Sequence, residues 1–218
     1  MAREKICCFT ITAFIIAIAT SISPAADSEH WNDVGVSHRI DSNISLSFSD
    51  RMKFREIPFG RIYIASGKAG LGYATRWKLF ITPSYRIDWI DKDIKDEYEH
   101  RYSLQLDYRS QFREVKITGT QITELRYFTG FSKDHVRLRL RLNLSRTLGR
   151  PADLPLSVYA APEIFYDNVN DEISRLRIYA GLDLKAFSNA IIRMGYILQN
   201  EKGKPDVHLF NTGISLSM

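Results

Sequence analysis

The sequence predicts an all-β protein: a closed, antiparallel, up-and-down transmembrane β-barrel with a polar, arginine-rich lumen. Three observations predict it. Apolar and polar side chains alternate through most of the chain, the period of a strand whose successive residues face opposite sides. The alternating segments mostly run roughly 10–14 residues, near the ~9–11 that a tilted strand needs to cross a bilayer. No complementary set of amphipathic helices accompanies them, so nothing would cover an apolar sheet face in water.

The clearest segment is residues 135–148. Val136, Leu138, Leu140, Leu142 and Leu144 share one parity, and Arg137, Arg139, Arg141, Asn143 and Ser145 share the other. A helix would scatter both sets around its circumference, whereas a strand gives one oily and one cationic face.

Residues 1–26 read as a cleaved secretory signal peptide. Arg3 and Lys5 precede an uncharged apolar run at 6–20, and small residues with Pro24 follow; the run is too short and too early for a spanning helix. Residues 27–218 then form a single barrel domain, expected in the bacterial outer membrane. Cys7 and Cys8, the only cysteines, fall within the leader, so the mature chain has no disulfide and no thiolate metal site. The formal charge of +5 and pI near 9.2 would suit nucleic acid. However, the arginines alternate inside strands instead of clustering on a helix or tail, and the export signal argues against that partner. Mean hydropathy is −0.22, and no apolar run of ~20 residues follows the leader, which excludes a helical inner-membrane protein but not a barrel.

In order, the first strand candidate is 31–40, and Asp41-Ser42-Asn43 is a tight turn. In 44–54, Ile44, Leu46 and Phe48 oppose Ser45, Ser47, Ser49 and Arg51. Pro58 and Gly60 punctuate 55–67, where 61–65 could be a short strand, a helical turn or loop. Residues 68–76 alternate and turn near Trp77 into 79–90; a charged loop at 91–97 leads to 98–112, where tyrosines and leucines oppose Glu99, Arg101, Gln105, Asp107 and Arg109. In 116–129, Ile122 shares parity with Lys116, Glu124 and Arg126, which calls for a bulge or an apolar residue filling the interior. After the arginine strand come a proline-bearing turn at 149–155, strands at 156–167 and 173–187, a tight turn at Ser188-Asn189, a strand at 190–199, a polar loop at 200–205, and a last strand at 206–218.

These amount to about eleven candidates. Single-chain bacterial barrels use an even number. Twelve strands is the preferred expectation, with 61–65 in a further strand; ten is the alternative. Trp31, Trp77, Trp89, Tyr98 and Tyr166 lie near strand ends, as residues of interfacial girdles do.

Several short stretches also resemble a known family. Trp31-Asn32-Asp33-Val34-Gly35-Val36, Gly70-Leu71-Gly72-Tyr73, Tyr85-Arg86, Thr123-Glu124-Leu125-Arg126-Tyr127 and Arg137-Leu138-Arg139 are similar to the uncharacterised bacterial outer-membrane barrels grouped as domain of unknown function 2490. The resemblance implies an outer-membrane barrel; it brings no activity and no site residues.

Parity assigns Arg51, Arg86, Arg101, Arg109, Arg126, Arg137, Arg139, Arg141, Arg175, Arg177, Lys185 and Arg193 to the interior, with Asp88, Asp107, Glu124, Glu163, Asp167 and Asp183. Arg137, Arg139 and Arg141 would stand ~7 Å apart along one strand, with Arg175 and Arg177 extending the track two strands on. Guanidinium forks suit carboxylates and phosphates, so one reading is a narrow channel preferring small acidic solutes. The alternative is a closed structural or anchor barrel whose charges pair across strands and plug the interior. A third is a lipid-modifying hydrolase using His100, His135 or His208 at a rim, although no Gly-x-Ser-x-Gly or His–Ser–acid spacing supports it. His100 and His208 share parity with apolar neighbours and read as interfacial side chains. No cofactor is expected. The expected partners are outer-membrane lipid, the outer-membrane assembly machinery and, for the channel, a small anionic solute.

Overall fold

The computed structural model describes residues 28–55, 60–92, 96–130, 133–151, 154–169 and 172–218. The expected leader lies outside them. Eleven strands occur among the described residues: β1 (Ser28–Arg39), β2 (Ile44–Arg55), β3 (Ile62–Ala74), β4 (Leu79–Ile90), β5 (Glu97–Phe112), β6 (Val115–Phe128), β7 (His135–Gly149), β8 (Leu156–Asp167), β9 (Glu172–Phe187), β10 (Ala190–Glu201) and β11 (Val207–Ser217). Each consecutive pair is antiparallel, and β1 closes on β11 to complete a barrel.

Two expectations need correction. The wall has eleven strands, not twelve or ten, because residues 62–65 belong to β3 itself, which continues unbroken to Ala74. The closing pair is parallel, running from Ser28↔His208 to Ser37↔Ser217, so the barrel is not antiparallel throughout. An odd number of alternating strands leaves the first and last pointing the same way, and a parallel ladder is the pairing that remains. Backbone bonds lock this seam at its end: Arg39 N–H donates to the Met218 carbonyl at 3.0 Å, and Met218 N–H donates to Ser37 at 2.8 Å.

Alternation sets which side of the wall each residue occupies. Leu140, Leu142 and Leu144 of β7 are exposed, as are Phe48, Tyr102, Leu104, Ile178 and Ile214. Arg126, Arg137, Arg177, Asp88, Glu99 and Glu163 are buried. In a closed sheet one layer thick, a buried side chain lies inside. The exterior is therefore apolar and the interior charged, the reverse of a soluble barrel. An exposed apolar surface of this extent needs a non-aqueous neighbour.

Ile122 is buried and faces inward, and neither neighbouring register shifts beside it. It fills the interior; there is no bulge. The register shifts instead at Lys53/Phe54 in the β2–β3 pair, Thr147/Gly149 in β7–β8, Phe165/Tyr166 in β8–β9 and Ala190/Ile191 in β9–β10. The first turn forms as its residues predict: the Asp41 carboxylate accepts from the Asn43 and Ile44 amides at 2.6 and 2.7 Å, an Asx turn. The two rims differ. One carries the two-residue turns 113–114 and 188–189; the other carries the connections 91–96, 129–134 and 202–206. These are called the turn rim and the loop rim.

Candidate functional site

The chemistry of this barrel is concentrated in the loop-rim half of its interior. Arg86, Arg101 and Arg126 are direct cross-strand neighbours on β4, β5 and β6. One inward step nearer the loop rim stand Asp88 and Glu99. Asp88 receives Arg86 Nε at 2.5 Å and Arg101 Nη2 at 2.7 Å. Glu99 receives Arg101 Nε at 2.5 Å and also binds Arg126. Cations and carboxylates thus interleave, which is how a confined polar site tolerates charge.

The β7 track is consumed in the same way. Arg137 makes a two-point contact with Asp167 at 2.6 and 3.1 Å. Arg139 bridges Glu124 on β6 at 2.9 Å and Glu163 on β8 at 2.7 Å. Arg141 reaches Glu163 at 3.5 Å. Glu163 is fully buried and also accepts the Tyr179 hydroxyl at 2.6 Å. Arg137, Arg139 and Arg141 therefore stand in an ion-paired lattice. Arg175 pairs with Glu201 at 2.5 Å. Arg177 has no carboxylate partner among the described residues; it donates to Gln199 Oε1 at 2.7 Å.

Two aromatic rings fill the space between these charges. Trp31 is only 2% exposed and lies inside the wall, with Arg51, Lys53 and Arg177 at 5.0, 4.2 and 5.0 Å from its ring centre. Its expected place in an interfacial girdle is thereby corrected: Trp31 shares parity with Asp33, which binds Arg51 at 2.5 Å from the same interior. Phe165 is the second ring, with Arg139 and Arg177 at 5.0 and 4.7 Å. Ile197 and Leu209 pack against Trp31. Ring faces carry partial negative charge, so cations over them are partly compensated.

Toward the turn rim the interior opens. Arg109, Lys116, Lys185 and Arg193 face inward by register yet are exposed, and Ser45, Ser47, Gly70 and Gly72 line the wall with little bulk. Arg109 rests on Phe80 at 3.7 Å, and Arg193 pairs with Asp183 at 2.7 Å. The structure thus gathers Arg86, Arg101, Arg126, Arg137, Arg139, Arg141, Arg175 and Arg177 around one plug, and leaves Arg109 and Arg193 apart from it. Sequence reasoning missed Trp31, Lys53, Lys68 and Phe165 as interior residues. Parity with Asp33, Arg51, Ser66 and Glu163 was the available signal.

Four of the histidines have polar partners in the structure, and none of these partners is a serine. His135 Nε2 lies 2.7 Å from Arg126 Nη1 and therefore accepts, while Nδ1–H donates to the Lys133 carbonyl at 3.0 Å. Nearby, the Ser174 hydroxyl donates to Asp167, not to the imidazole. His30 faces outward, 2.8 Å from Asn32 Oδ1 and 3.2 Å from Thr212 Oγ1. Its Nε2 donates to Asn32, so it has no lone pair left for the hydroxyl. His100 and His208 also face outward, against the hydroxyls of Tyr85, at 2.7 Å, and Tyr196. Among the described residues no group of His, Cys, Asp and Glu is arranged to hold a metal ion.

Comparison with known proteins gives the family and a fold likeness. The family described as "Protein of unknown function (DUF2490)" matches residues 28–209. The chain belongs to the DUF2490 family. No curated protein matches this DUF2490 chain. Among solved structures it is similar to LpxR from Salmonella typhimurium, with 11% identity, a TM-score of 0.50, and coverage of 83% of this chain and 84% of that one. At that identity the likeness concerns the fold alone. The DUF2490 chain has an outer-membrane-type β-barrel fold.

Proposed function

We propose that this protein is exported by cleavage of residues 1–26 and resides in the bacterial outer membrane as a closed barrel. It would be a structural or anchoring scaffold whose interior is plugged by its own charges. The observation that carries this reading is Arg139 held between Glu124 and Glu163 at 2.9 and 2.7 Å. The residue that would attract a passing anion is already saturated by two carboxylates, one from each neighbouring strand. Trp31 and Phe165 occupy the space beside it. The apolar exterior and the likeness to LpxR support the membrane placement. Short turns face the periplasm in such barrels, which orients the plugged half outward. Its partners on this reading are outer-membrane lipid and the machinery that inserts barrels.

Planar-bilayer recording of the purified protein tests the closed state. The expected result is an absence of steady conductance. Stable steps with anion selectivity would replace this reading with a channel. Fractionation of cells expressing the full chain tests location, with recovery in the outer-membrane fraction expected.

A further inference from the structure

The arginine row of β4–β6 begins one strand earlier, at a lysine. Lys68 on β3 is the direct cross-strand neighbour of Arg86, so four inward cations, Lys68, Arg86, Arg101 and Arg126, stand in line across adjacent strands. Like charges placed directly opposite repel. Asp88 and Glu99 relieve the three arginines. Nothing comparable relieves Lys68. It has no ion pair and no hydrogen bond among the described residues. Its electrostatic neighbours are Arg86, Arg139 and Arg51, against the single carboxylate Glu124, which is already bound to Arg139. A second, independent observation lies beside it. Ser84, the next inward position from Arg86 on β4, has a buried hydroxyl with no hydrogen-bond partner.

An ammonium facing guanidiniums in a confined interior is unfavourable until an anion joins it. A free hydroxyl at the same place is a donor awaiting an acceptor. We infer that Lys68, Arg86 and Ser84 form a binding site for a small free oxyanion of the phosphate class. The ammonium and guanidinium supply charge, and the hydroxyl supplies a directed hydrogen bond. The ion enters from the turn rim, where the inward side chains are small or exposed. A lipid phosphate is not the source, because its acyl chains would have to follow it into a polar interior. The inference goes beyond the closed-barrel reading and does not need it: a conducting barrel could hold the same ion, and conductance is read separately.

The test measures the thermal midpoint of the purified full barrel in detergent, in chloride and in inorganic phosphate at matched ionic strength. Lys185→Met serves as a control for an exposed interior lysine. Wild type and Lys185→Met gain stability in phosphate. Lys68→Met loses that gain, and its midpoint in chloride is unchanged or higher, because a repelled charge has gone. Ser84→Ala weakens phosphate binding roughly tenfold, the worth of one hydrogen bond to a charged group. Absence of a phosphate gain in wild type, its persistence in Lys68→Met, or a lower chloride midpoint for Lys68→Met would each overturn the proposal.

Discussion

The Arg177 guanidinium stands 5.0 Å from the centre of the Trp31 ring, although β9 and β1 are separated in the wall by β10 and β11. The contact spans the interior and is not a neighbour contact along the sheet. Trp31 also carries Lys53 at 4.2 Å on the same ring. One side chain therefore both fills the loop-rim mouth and holds two cations that form no ion pair among the described residues.

Trp31→Ala should open that mouth. Loss of a large buried aromatic costs about 3–5 kcal/mol in a well-packed site, so the urea midpoint of the detergent-solubilised barrel should fall. The same variant should show conductance in planar bilayers where wild type shows none. A silent barrel of unchanged stability would mean that Trp31 is not the plug.

Glu163 is the acid on which the β7 lattice converges, receiving Arg139 at 2.7 Å and Arg141 at 3.5 Å. Glu163→Gln leaves two guanidiniums undercompensated, and removing one partner of a buried pair costs roughly 3–5 kcal/mol. Equilibrium unfolding should register that loss. Adding Arg139→Met should recover part of it, since the orphaned charge then disappears. A double variant as unstable as the sum of both singles would show that the residues are not coupled.

Tyr159 lies over the paired glycines Gly181 and Gly195 of β9 and β10. A Cβ at Gly181 would sit 2.7 Å from the Tyr159 hydroxyl and closer still to the Met194 carbonyl. At Gly195 the Tyr159 hydroxyl is the one atom nearer than 3.3 Å. Both alanine variants should destabilise, by about 1–3 kcal/mol as overpacking does. Tyr159→Leu should rescue Gly195→Ala but not Gly181→Ala, where backbone remains in the way. Heat-modifiable migration of the folded band distinguishes these outcomes.

Asp50 occupies an outward position between Phe48 and Met52 on β2, with no ion pair among the described residues. If that face meets lipid, Asp50→Leu should stabilise the barrel by roughly 1–2 kcal/mol, below the cost of a basic residue at the bilayer midplane. Refolding into lipid vesicles measures this. A loss of stability there would argue that Asp50 has a polar neighbour in the membrane.

How much of this was legible beforehand differs from residue to residue. The inward and outward faces of β7 were fully readable, because alternation is a local property of one strand. The pairing of Arg139 was not. Its two carboxylates lie 15 and 24 residues away in sequence, and which acid faces which arginine depends on register across two neighbouring strands. Trp31 shows a different failure. Its position near a strand end suggests a girdle, whereas the parity it shares with Asp33 puts it inside. The strand count failed similarly: the eleven alternating segments were each identifiable, and only the even-number generalisation turned them into twelve. Ile122 shows that an apolar residue on the polar parity need not signal a defect in the ladder.

The parallel seam has a consequence for cell-surface topology. In an even-stranded barrel the first and last strands of the wall emerge on the same side of the membrane. Here, the first residue of β1 and the last of β11 lie at opposite mouths, since the two strands run side by side in the same direction. With Ser217 on the periplasmic side, Ser28 would face the medium. An epitope inserted just ahead of Ser28 should bind antibody on intact cells, and one appended after Met218 should stay hidden until the envelope is permeabilised.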